Sequence, residues 1–373
     1  MHVVHVIANN STVPYLNWFA EGLRNYPDVK FSVVAMYPEK PHLIEEMKAF
    51  GCDAYWIKFD AAKRKSGMIS SFFKLYKLFK QLKPDVLNAH LFDDSVPALL
   101  AARFAGIKKR VIRKQDTAFH WYFKPLWVWV DRFNNVNSTD IIAISKDSEK
   151  FLLEKEKAPA RKMRMIHNGI PIKDFTTQVD ADKEMLVKKY GLEGKTVLGT
   201  IARYIEWKGY KYIIEAAREL TRKNKNLKFL FVGHGEQQNE LEDLVNKYGL
   251  SEYIVFTGWI DRKYIPSLYG IMDVYIHAAV MEPFGFVLVE AMANGVAIVT
   301  SKTGVAADAL IHMETCYFTG DKDPEGIAEG VQWMLENPTE RNAMKDRVRK
   351  LAADLFSVEH MLDEHIKVYR GIK

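Results

Sequence analysis

The chain has 373 residues, of which 48% are hydrophobic and 27% charged, and its formal net charge at pH 7 is +6. This length is too great for one ordinary hydrophobic core, so we expect a globular protein with two domains of similar size. The charge excess is far below that of a protein built to coat nucleic acid, which excludes that class.

The chain contains two cysteines, Cys52 and Cys316, and neither lies in a Cys-x-x-Cys or Cys/His spacing that holds zinc. Residues 1–8 begin directly with a strand pattern, without the charged and apolar regions of a signal peptide. No apolar run reaches the length of a spanning helix. We therefore expect a cytoplasmic protein without a transmembrane segment.

Short apolar runs alternate with longer helical patterns through the first half of the chain. The runs cover residues 3–8, 31–35, 86–89, 111–113 and 141–144. This alternation is typical of βαβ units on a parallel sheet. Residues 1–172 are therefore predicted to form one doubly wound, Rossmann-like α/β domain.

Two segments of the first half combine aromatic and basic residues. Residues 63–83 form a helical pattern rich in lysine and phenylalanine, and residues 121–129 hold three of the eight tryptophans of the chain. Such segments could form a surface that binds an anionic membrane and reaches a lipid-linked substrate. The alternative is that the aromatic faces fill the core while the lysines face solvent.

A polar segment follows the apolar run at residues 111–113, at the end of a predicted strand where α/β proteins commonly bind ligands. Within it, Asp116 and His120 are the groups best suited to exchange a proton with a substrate hydroxyl. We predict them as catalytic candidates. A purely structural role for either residue is the alternative.

A second series of apolar runs begins at residue 196 and predicts a second Rossmann-like domain over residues 173–355. The runs cover residues 196–201, 229–232, 254–256, 274–276 and 297–299. Between the two series, residues 166–171 and the polar stretch that follows them through residue 182 suit a linker. Residues 356–373 form an amphipathic helical pattern that could pack on the second domain or cross back to the first. A cleft between the two domains is expected.

Two cations follow the first strand of this second series. Arg203 and Lys208 lie in the segment after residue 201, where they could reach one diphosphate group. The alternative is an ordinary surface pair beside a turn. The Gly-His-Gly sequence at residues 233–235 lacks the third glycine of a dinucleotide fingerprint, so a Rossmann dehydrogenase is disfavoured.

The most informative segment is residues 282–295, with the sequence EPFGFVLVEAMANG. Glu282 lies on a Pro/Gly turn and Glu290 on the helix that the turn opens, so the amide groups between them form an anion-binding helix N-terminus. A pair of acids also suggests glycoside hydrolysis. The cations Arg203 and Lys208 favour a diphosphate leaving group instead, and hence transfer of a sugar.

This segment resembles the E-x7-E motif of the retaining GT-B glycosyltransferases that use nucleotide sugars, the group 1 or family 4-like enzymes. The resemblance implies two Rossmann-like domains that face each other across a cleft. It further implies that Arg203 and Lys208 hold the donor diphosphate, that Glu290 binds the ribose and that Glu282 is a catalytic residue which holds the transferred sugar. The remaining donor-binding residues that it implies are Phe284, Gly285, Phe286, Val287, Trp259 and Ile260.

The implied reaction is transfer of a hexose, with retention and without a metal, to a glycan or lipid-linked acceptor in polysaccharide or glycolipid biosynthesis. No cofactor is expected, and the co-substrate is a nucleotide sugar, most commonly a UDP-sugar. The implied location is the cytoplasm, with peripheral association at the inner face of the cell membrane. Nucleic acid is not an expected partner.

The chain departs from the family pattern at three places. Residues 11–14 replace the usual glycine pair after the first strand, Gln115 or Asp116 stands where a histidine is expected, and Ala306-Ala307 replaces a Pro-Glu pair. Two alternatives therefore stay open, a nucleotide-sugar epimerase on the same fold and a non-catalytic partner in an assembly complex.

Overall fold

The computed structural model describes residues 1–115, 121 and 124–372. The chain divides into two compact units. Unit 1 consists of Met1–Gly169 together with Val358–Lys373, and unit 2 consists of Ile170–Ser357. Each unit contains one parallel sheet, as predicted for a protein with two Rossmann-like domains.

Unit 1 has a seven-stranded sheet in the order β3-β2-β1-β4-β5-β6-β7. All neighbouring strands are parallel. Its strands are β1 (His2–Ala8), β2 (Lys30–Tyr37), β3 (Asp53–Lys58), β4 (Val86–Ala89), β5 (Lys109–Lys114), β6 (Asp140–Ala143) and β7 (Met163–Met165). The helices between them are α1 (Pro14–Gly22), α2 (Leu43–Ala49), α3 (Arg64–Leu82), α4 (Phe92–Ala105), α5 (Val128–Asn137) and α6 (Lys146–Glu154).

Both faces of this sheet are covered, which explains why its central strands are continuous apolar runs. Along β1, Val3 and Ile7 pack into the core on the side of α1, while Val4 and Val6 pack on the side of α3 and α4. Successive side chains of a strand point to opposite faces, so one strand supplies both cores.

Unit 2 has a six-stranded sheet in the order β10-β9-β8-β11-β12-β13, again with parallel neighbours. Its strands are β8 (Thr196–Ile201), β9 (Leu227–Val232), β10 (Ile254–Phe256), β11 (Val274–His277), β12 (Ala297–Ser301) and β13 (Tyr317–Thr319). Its helices are α7 (Ile172–Thr176), α8 (Asp180–Tyr190), α9 (Tyr210–Lys223), α10 (Gln238–Lys247), α11 (Ile265–Gly270), α12 (Phe286–Asn294), α13 (Val305–Ala309), α14 (Pro324–Glu336) and α15 (Pro338–Phe356).

The last helix, α16 (Val358–Arg370), belongs to unit 1 although it follows unit 2 in sequence. Its apolar side chains Met361, Leu362 and Ile366 are buried with Leu16 and Phe19 of α1. Short 3-10 helices complete the structure at Leu23–Asn25, Ala61–Lys63, Pro125–Trp127, Ala160–Lys162, Glu206–Lys208 and Arg262–Tyr264.

The structure differs from the sequence-based expectation at two kinds of position. The strands β3, β7 and β13 were not predicted, and all three lie at sheet edges, where the apolar run is short or interrupted. The end of the polar stretch expected to be a linker is the first turn of α8, where Asp180 and Asp182 stabilise the helix N-terminus. Gly191, with a φ of 62°, ends that helix.

Candidate functional site

The loops at the carboxyl end of the unit 2 sheet are held together by backbone contacts. The amide of Val280, after β11, donates to the carbonyl of Trp207, after β8, over 2.9 Å. Gly209 has a φ of 72°, and a Cβ at this position would collide with the carbonyl oxygen of Ala278. Glycine is therefore required for the two loops to approach so closely.

Glu282 lies in the β11–α12 loop and is held by two basic groups. The Nζ of Lys208 donates to its Oε2, and the Nε2 of His277 lies 3.5 Å from the same oxygen. Burial by itself would raise the pKa of Glu282, but the His277 contact and the charge of Lys208 lower this pKa to about 2. Glu282 is therefore a carboxylate at neutral pH.

The turn before α12 is fixed by a neighbouring loop. Gly285 has a φ of 100°, the left-handed conformation that favours glycine, and the helix begins at the next residue, Phe286. The amide of Val305, in the loop after β12, donates to the carbonyl of Phe284 over 2.8 Å. Phe284 is buried, and its ring centroid lies 5.0 Å from that of Phe286. The start of α12 is consequently a rigid backbone segment.

Glu290 lies one turn into α12, in a different environment from Glu282. Its Oε2 is 3.3 Å from the hydroxyl of Tyr269, which also donates to the carbonyl of Val287 over 2.8 Å. Burial raises the pKa of Glu290 to about 7, against the lowering effect of the Arg262 charge and the Tyr269 hydrogen bond. The two glutamates of the motif therefore have opposite pKa shifts.

The other predicted donor-binding residues lie on the loops after β8 and β10. Arg203 is exposed, Ile260 is partly buried, and Trp259 is 70% exposed. The amide of Gly233, after β9, donates to the carbonyl of Gly258 over 3.1 Å, which joins the loops after β9 and β10. All the predicted unit 2 residues thus follow strands at one end of one sheet, or lie on the helix that begins there.

In unit 1, the predicted catalytic residues Asp116 and His120 lie outside the described part of the chain. Described residues of unit 1 line a polar cavity of about 200 Å³ at the carboxyl end of β1, β4 and β5. Its lining residues are Asn9, Arg64, His90, Leu91, Phe92, Asp93, Ser95, Arg113, Lys114, Gln115, Asp131 and Asn134. We call this space the unit 1 pocket.

Among the described residues, three ion pairs, formed by two cations, lie at the unit 1 pocket. The Nε of Arg64 lies 2.7 Å from a carboxylate oxygen of Asp93. The Nζ of Lys114 lies 2.8 Å from Asp131 and 2.9 Å from Glu156. Burial would lower the pKa of Lys114, but these two carboxylates raise it above its usual value.

Beside the pocket, Asp94 caps the start of α4. One of its carboxylate oxygens accepts from the amide of Ala8 over 2.9 Å, and the other accepts from the amides of His90 and Leu91 over 3.0 Å each. Burial nevertheless raises the pKa of Asp94 to about 8, despite these three amides. Asp94 joins the ends of β1 and β4, and this is a structural role.

Sequence reasoning missed several polar residues that the fold brings to these two places. His277 and Lys114 are the last residues of β11 and β5, and this position at the carboxyl end of a parallel strand was the available signal. Tyr269 gave no signal, because a tyrosine in a short helix is usually a core residue. Asp93 and Asp131 lie on helices and reach the pocket only through the packing of unit 1.

Across the described ranges, no group of three or more His, Cys, Asp or Glu side chains is arranged to hold a metal ion. Within the same residues, no helix has both the length and the apolar character needed to cross a membrane.

Two family models match consecutive parts of the chain. "Glycosyltransferase Family 4" matches residues 19–174, and "Glycosyl transferases group 1" matches residues 182–351. The first match lies in unit 1 apart from its last residues, and the second lies in unit 2. The second match includes both glutamates and both cations of the predicted donor site.

Known proteins resemble the chain in sequence and in fold. An uncharacterised glycosyltransferase of Methanocaldococcus jannaschii is 26% identical over 65% of this chain, and the alignment spans 62% of that protein, less than two thirds of its length. The capsular polysaccharide biosynthesis glycosyltransferase CapM of Staphylococcus aureus is 25% identical over 81% of this chain and 80% of its own. The crystal structure of Anabaena HepE in complex with UDP superposes on this chain with a TM-score of 0.85, and the alignment covers 100% of each chain. The two sequences are 19% identical, so the similarity is one of fold.

Proposed function

Because the chain belongs to the group 1 glycosyltransferases, we propose that it is a hexosyltransferase. The donor is a nucleotide sugar, and the acceptor is a hydroxyl group of a glycan or lipid-linked molecule. The reaction retains the anomeric configuration and uses no metal. We place it in polysaccharide or glycolipid biosynthesis, on the cytoplasmic side of the cell membrane.

The observation that carries this proposal is the position of ionised Glu282 between the Lys208 ammonium and the N-terminus of α12. A nucleotide sugar presents hydroxyl donors on its sugar and negative charge on its diphosphate. Glu282 can accept hydrogen bonds from the hydroxyls, while Lys208, Arg203 and the helix N-terminus favour the diphosphate. One site therefore matches both chemical parts of the donor.

Glu290 suits the other end of the same ligand. Its carboxyl group is buried beside Tyr269, and ribose hydroxyls can donate hydrogen bonds to it. The backbone from Phe284 to Val287 would face the sugar and phosphates, and Trp259 and Ile260 would lie near the base. These assignments rest on the resemblance of residues 282–295 to the E-x7-E motif.

The proposed chemistry is breakage of the bond between the anomeric carbon and the diphosphate oxygen, with attack by the acceptor hydroxyl on the same face. The leaving phosphate oxygen takes the proton of that hydroxyl. Negative charge grows on the diphosphate as the bond breaks, and Arg203, Lys208 and the start of α12 stabilise it. Glu282 keeps the sugar in position, and Asp116 or His120 would act on the acceptor from the first domain.

Substitutions at the site test this assignment. We expect Lys208→Ala and Glu282→Ala to lower kcat/KM for sugar transfer by roughly 10²–10³-fold, the range found when one stabilising group is lost from an active site. Lys350→Ala and Glu340→Ala are matched controls, because both residues are exposed on α15. Transfer by Lys208→Ala and Glu282→Ala at the rate of the controls would contradict the assignment.

The identity of the donor is testable by thermal shift with UDP, GDP and ADP sugars, since a ligand that binds only the folded protein raises its stability. We expect UDP-hexoses to give the largest shift. The crystal structures of HepE in complex with UDP and with UDP-glucose support this choice. A larger thermal shift with GDP or ADP sugars would contradict the choice of UDP and identify that nucleotide as the donor carrier instead.

The two alternatives give different products. A nucleotide-sugar epimerase makes a new nucleotide sugar without any acceptor, whereas the proposed enzyme needs one. A non-catalytic assembly partner binds the nucleotide but turns over no acceptor. Chromatography after incubation with the nucleotide sugar, alone and with a pool of glycan and lipid-linked acceptors, separates the three.

We also propose that unit 1 associates peripherally with anionic membrane. The described structure divides the aromatic segments between core and surface: Leu75 and Phe79 of α3 are buried, whereas Ile69 and Phe73 of the same helix are exposed. On and before α5, the exposed apolar residues are Leu126, Trp129, Phe133 and Val136. Exposed lysines of α3 are Lys65, Lys74, Lys77 and Lys80. Apolar side chains with nearby lysines are the composition that binds anionic lipid.

Vesicle flotation tests this association. We expect the double variant Trp129→Ser/Phe133→Ser to bind phosphatidylglycerol vesicles more weakly than the wild type. Ile311→Ser is the control, because it removes an exposed apolar residue from unit 2. If anionic vesicles leave the distribution of the wild-type protein the same as in buffer alone, the membrane proposal is wrong.

A further inference from the structure

A buried chain of hydrogen bonds runs from α16 through the core of unit 1 to the unit 1 pocket. The hydroxyl of Tyr369 lies 2.9 Å from His5 Nε2, His5 Nδ1 lies 3.0 Å from His90 Nε2, and His90 Nδ1 lies 3.3 Å from the amide of Gln115. At the other end, the amide of Asn88 lies 2.6 Å from the Tyr369 hydroxyl. We call these five residues the histidine relay.

Both rings of the relay are neutral. Burial lowers the pKa of His90 to about 3, and burial together with the neighbouring His90, His365 and Arg113 lowers the pKa of His5 well below its usual value. A neutral imidazole carries one N–H and one acceptor nitrogen. The direction of the hydrogen bond between His5 and His90 therefore fixes which nitrogen of each ring carries the hydrogen.

Three arrangements of the relay leave one N–H on each ring. In the first, the Asn88 amide donates to Tyr369, whose hydroxyl donates to His5 Nε2; His5 and His90 then each donate from Nδ1, and Gln115 accepts through its carbonyl oxygen. In the second, every bond is reversed, so Asn88 accepts and the Gln115 amide nitrogen donates to His90. In the third, both amides donate, and the Tyr369 hydroxyl oxygen accepts from Asn88 and from His5 Nε2, as its two lone pairs allow. This arrangement leaves the buried Tyr369 O–H without an acceptor among its hydrogen-bond partners, and it turns the Asn88 amide nitrogen towards a protonated His5 Nε2 at 3.4 Å, so it is disfavoured.

The surroundings of Asn88 favour the first direction. Asn88 is fully buried, and the amide atom that does not face Tyr369 has no hydrogen-bond partner among the described residues. In the first direction this orphan atom is a carbonyl oxygen, and in the second it is an NH2 group. Buried N–H groups without a partner are rarer and more costly than under-satisfied carbonyl oxygens.

We propose that the histidine relay fixes the side chain of Gln115 so that its NH2 group is free to face the unit 1 pocket and donate to a substrate oxygen. Gln115 is then a binding residue, and His90, His5 and Tyr369 are positioning residues. This inference rests on the proposed function, in which unit 1 takes the acceptor. It assigns a role to Gln115, which with Asp116 is one of the two residues that could stand where the family pattern has a histidine.

The charges of the unit 1 pocket indicate the class of group that Gln115 would bind. Arg64 is paired with Asp93, and Lys114 with Asp131 and Glu156. The third cation of the lining, Arg113, is buried and hydrogen-bonded to the neutral side chains of Asn168 and His365. Among these described residues three carboxylates thus balance three cations, which leaves no excess positive charge to attract an anion. An N–H donor among paired charges suits an uncharged oxygen, such as a sugar hydroxyl or ring oxygen. The acceptor group expected here is therefore neutral and oxygen-rich.

The direction of the relay is measurable by ¹⁵N NMR of the histidine rings in the unliganded, full-length protein. We expect His5 and His90 to be Nδ1–H tautomers, although Nε2–H is the commoner form in water. His365 is an internal reference, because its Nδ1 lies 2.8 Å from the carbonyl of Met361 and must donate. Signals are assigned by single His→Gln variants. An Nε2–H tautomer at His90 would overturn the inference.

Gln115→Glu provides a second test, since a carboxylate can only accept from His90. The first direction predicts unchanged tautomers in this variant, and the second predicts that both rings reverse, which would overturn the inference. We also expect the acceptor KM to rise at least tenfold with the donor KM unchanged; an unchanged acceptor KM would contradict the binding role. The NMR result does not depend on turnover, so failure of the proposed function is distinguishable from failure of the relay.

Discussion

The two glutamates of the E-x7-E segment differ in charge state because they differ in neighbours. Glu282 contacts Lys208 and His277, whereas Glu290 is buried beside the Tyr269 hydroxyl. Burial opposes ionisation at both positions, but only Glu282 has a cation close enough to reverse the effect. One sequence motif thus holds one carboxyl group with a lowered pKa and one with a raised pKa.

Glu290 is expected to destabilise the unliganded protein at high pH. Its folded-state pKa of about 7 lies above the ordinary value of 4.5, so stability falls as the pH rises from about 4.5 through 7. We expect Glu290→Gln to be more stable than the wild type at pH 8 by up to about 3 kcal/mol, with no difference near pH 4.5. Urea unfolding at both pH values, with Glu340→Gln as the control, measures this. Equal stability of the wild type and Glu290→Gln at pH 8 would contradict the raised pKa of Glu290.

Glu282 is expected to act in the opposite sense. Its folded-state pKa of about 2 lies below the ordinary value of 4.5, so its contribution is complete above the unfolded pKa and is lost as the pH falls towards 2. We expect Glu282→Gln to lose up to about 3 kcal/mol at pH 7, with a smaller loss at pH 4. Denaturant midpoints of both proteins across this range measure the difference. A loss that stays constant with pH would show that charge is not its cause.

At the scale of elements, the packing of α16 against α1 depends on the absence of a side chain. Gly22 ends α1, and a Cβ at this position would collide with the Cδ1 of Leu362. The backbone of Gly22 is helical, so alanine would be favoured by helix propensity alone. Close packing of the two helices therefore outweighs propensity at this position.

We expect Gly22→Ala to destabilise unit 1 by about 1–3 kcal/mol, the usual cost of overpacking a core. Leu362→Ala alone should also destabilise, because it opens a cavity. The double variant should be more stable than the sum of the two single losses predicts, since the new methyl group fills part of that cavity. Thermal unfolding of the wild type, the two single variants and the double variant provides the double-mutant cycle that measures this interaction. Strict additivity would mean that the two positions do not interact.

At the scale of the whole molecule, each unit has its own sheet and core, so ligand binding at unit 2 is measurable separately from unit 1. At a UDP concentration of about 100 times Kd, we expect a gain of about 2.7 kcal/mol in the stability of the binding unit. Hydrogen exchange should slow in residues 202–209 and 284–290. Lys208→Ala should weaken this protection, whereas Lys350→Ala should not. Protection confined to unit 1 would contradict a donor site in unit 2.

Most of the fold was predictable from the sequence because its central strands are buried on both faces. Strands such as β1 and β9 are therefore continuous apolar runs that periodicity detects. Only Ile57 of the edge strand β3 is buried, and β7 and β13 have three residues each, so the apolar pattern is weak there. The start of α8 was mistaken for a linker because its first turn is polar and only Leu186 is buried.

The sequence by itself determined the two Rossmann-like sheets and the segment that holds Glu282 and Glu290. The apolar runs of the strands and the turn-to-helix motif are both formed by residues that are neighbours in the chain, so they can be recognised without the tertiary structure. Only the tertiary structure decided which residues surround those carboxylates and the unit 1 pocket. His277 meets Glu282, and Tyr369 of the last helix meets His5 of the first strand, through contacts between residues distant in the chain. Such contacts set burial and charge, and hence the pKa of each glutamate and the direction of the histidine relay.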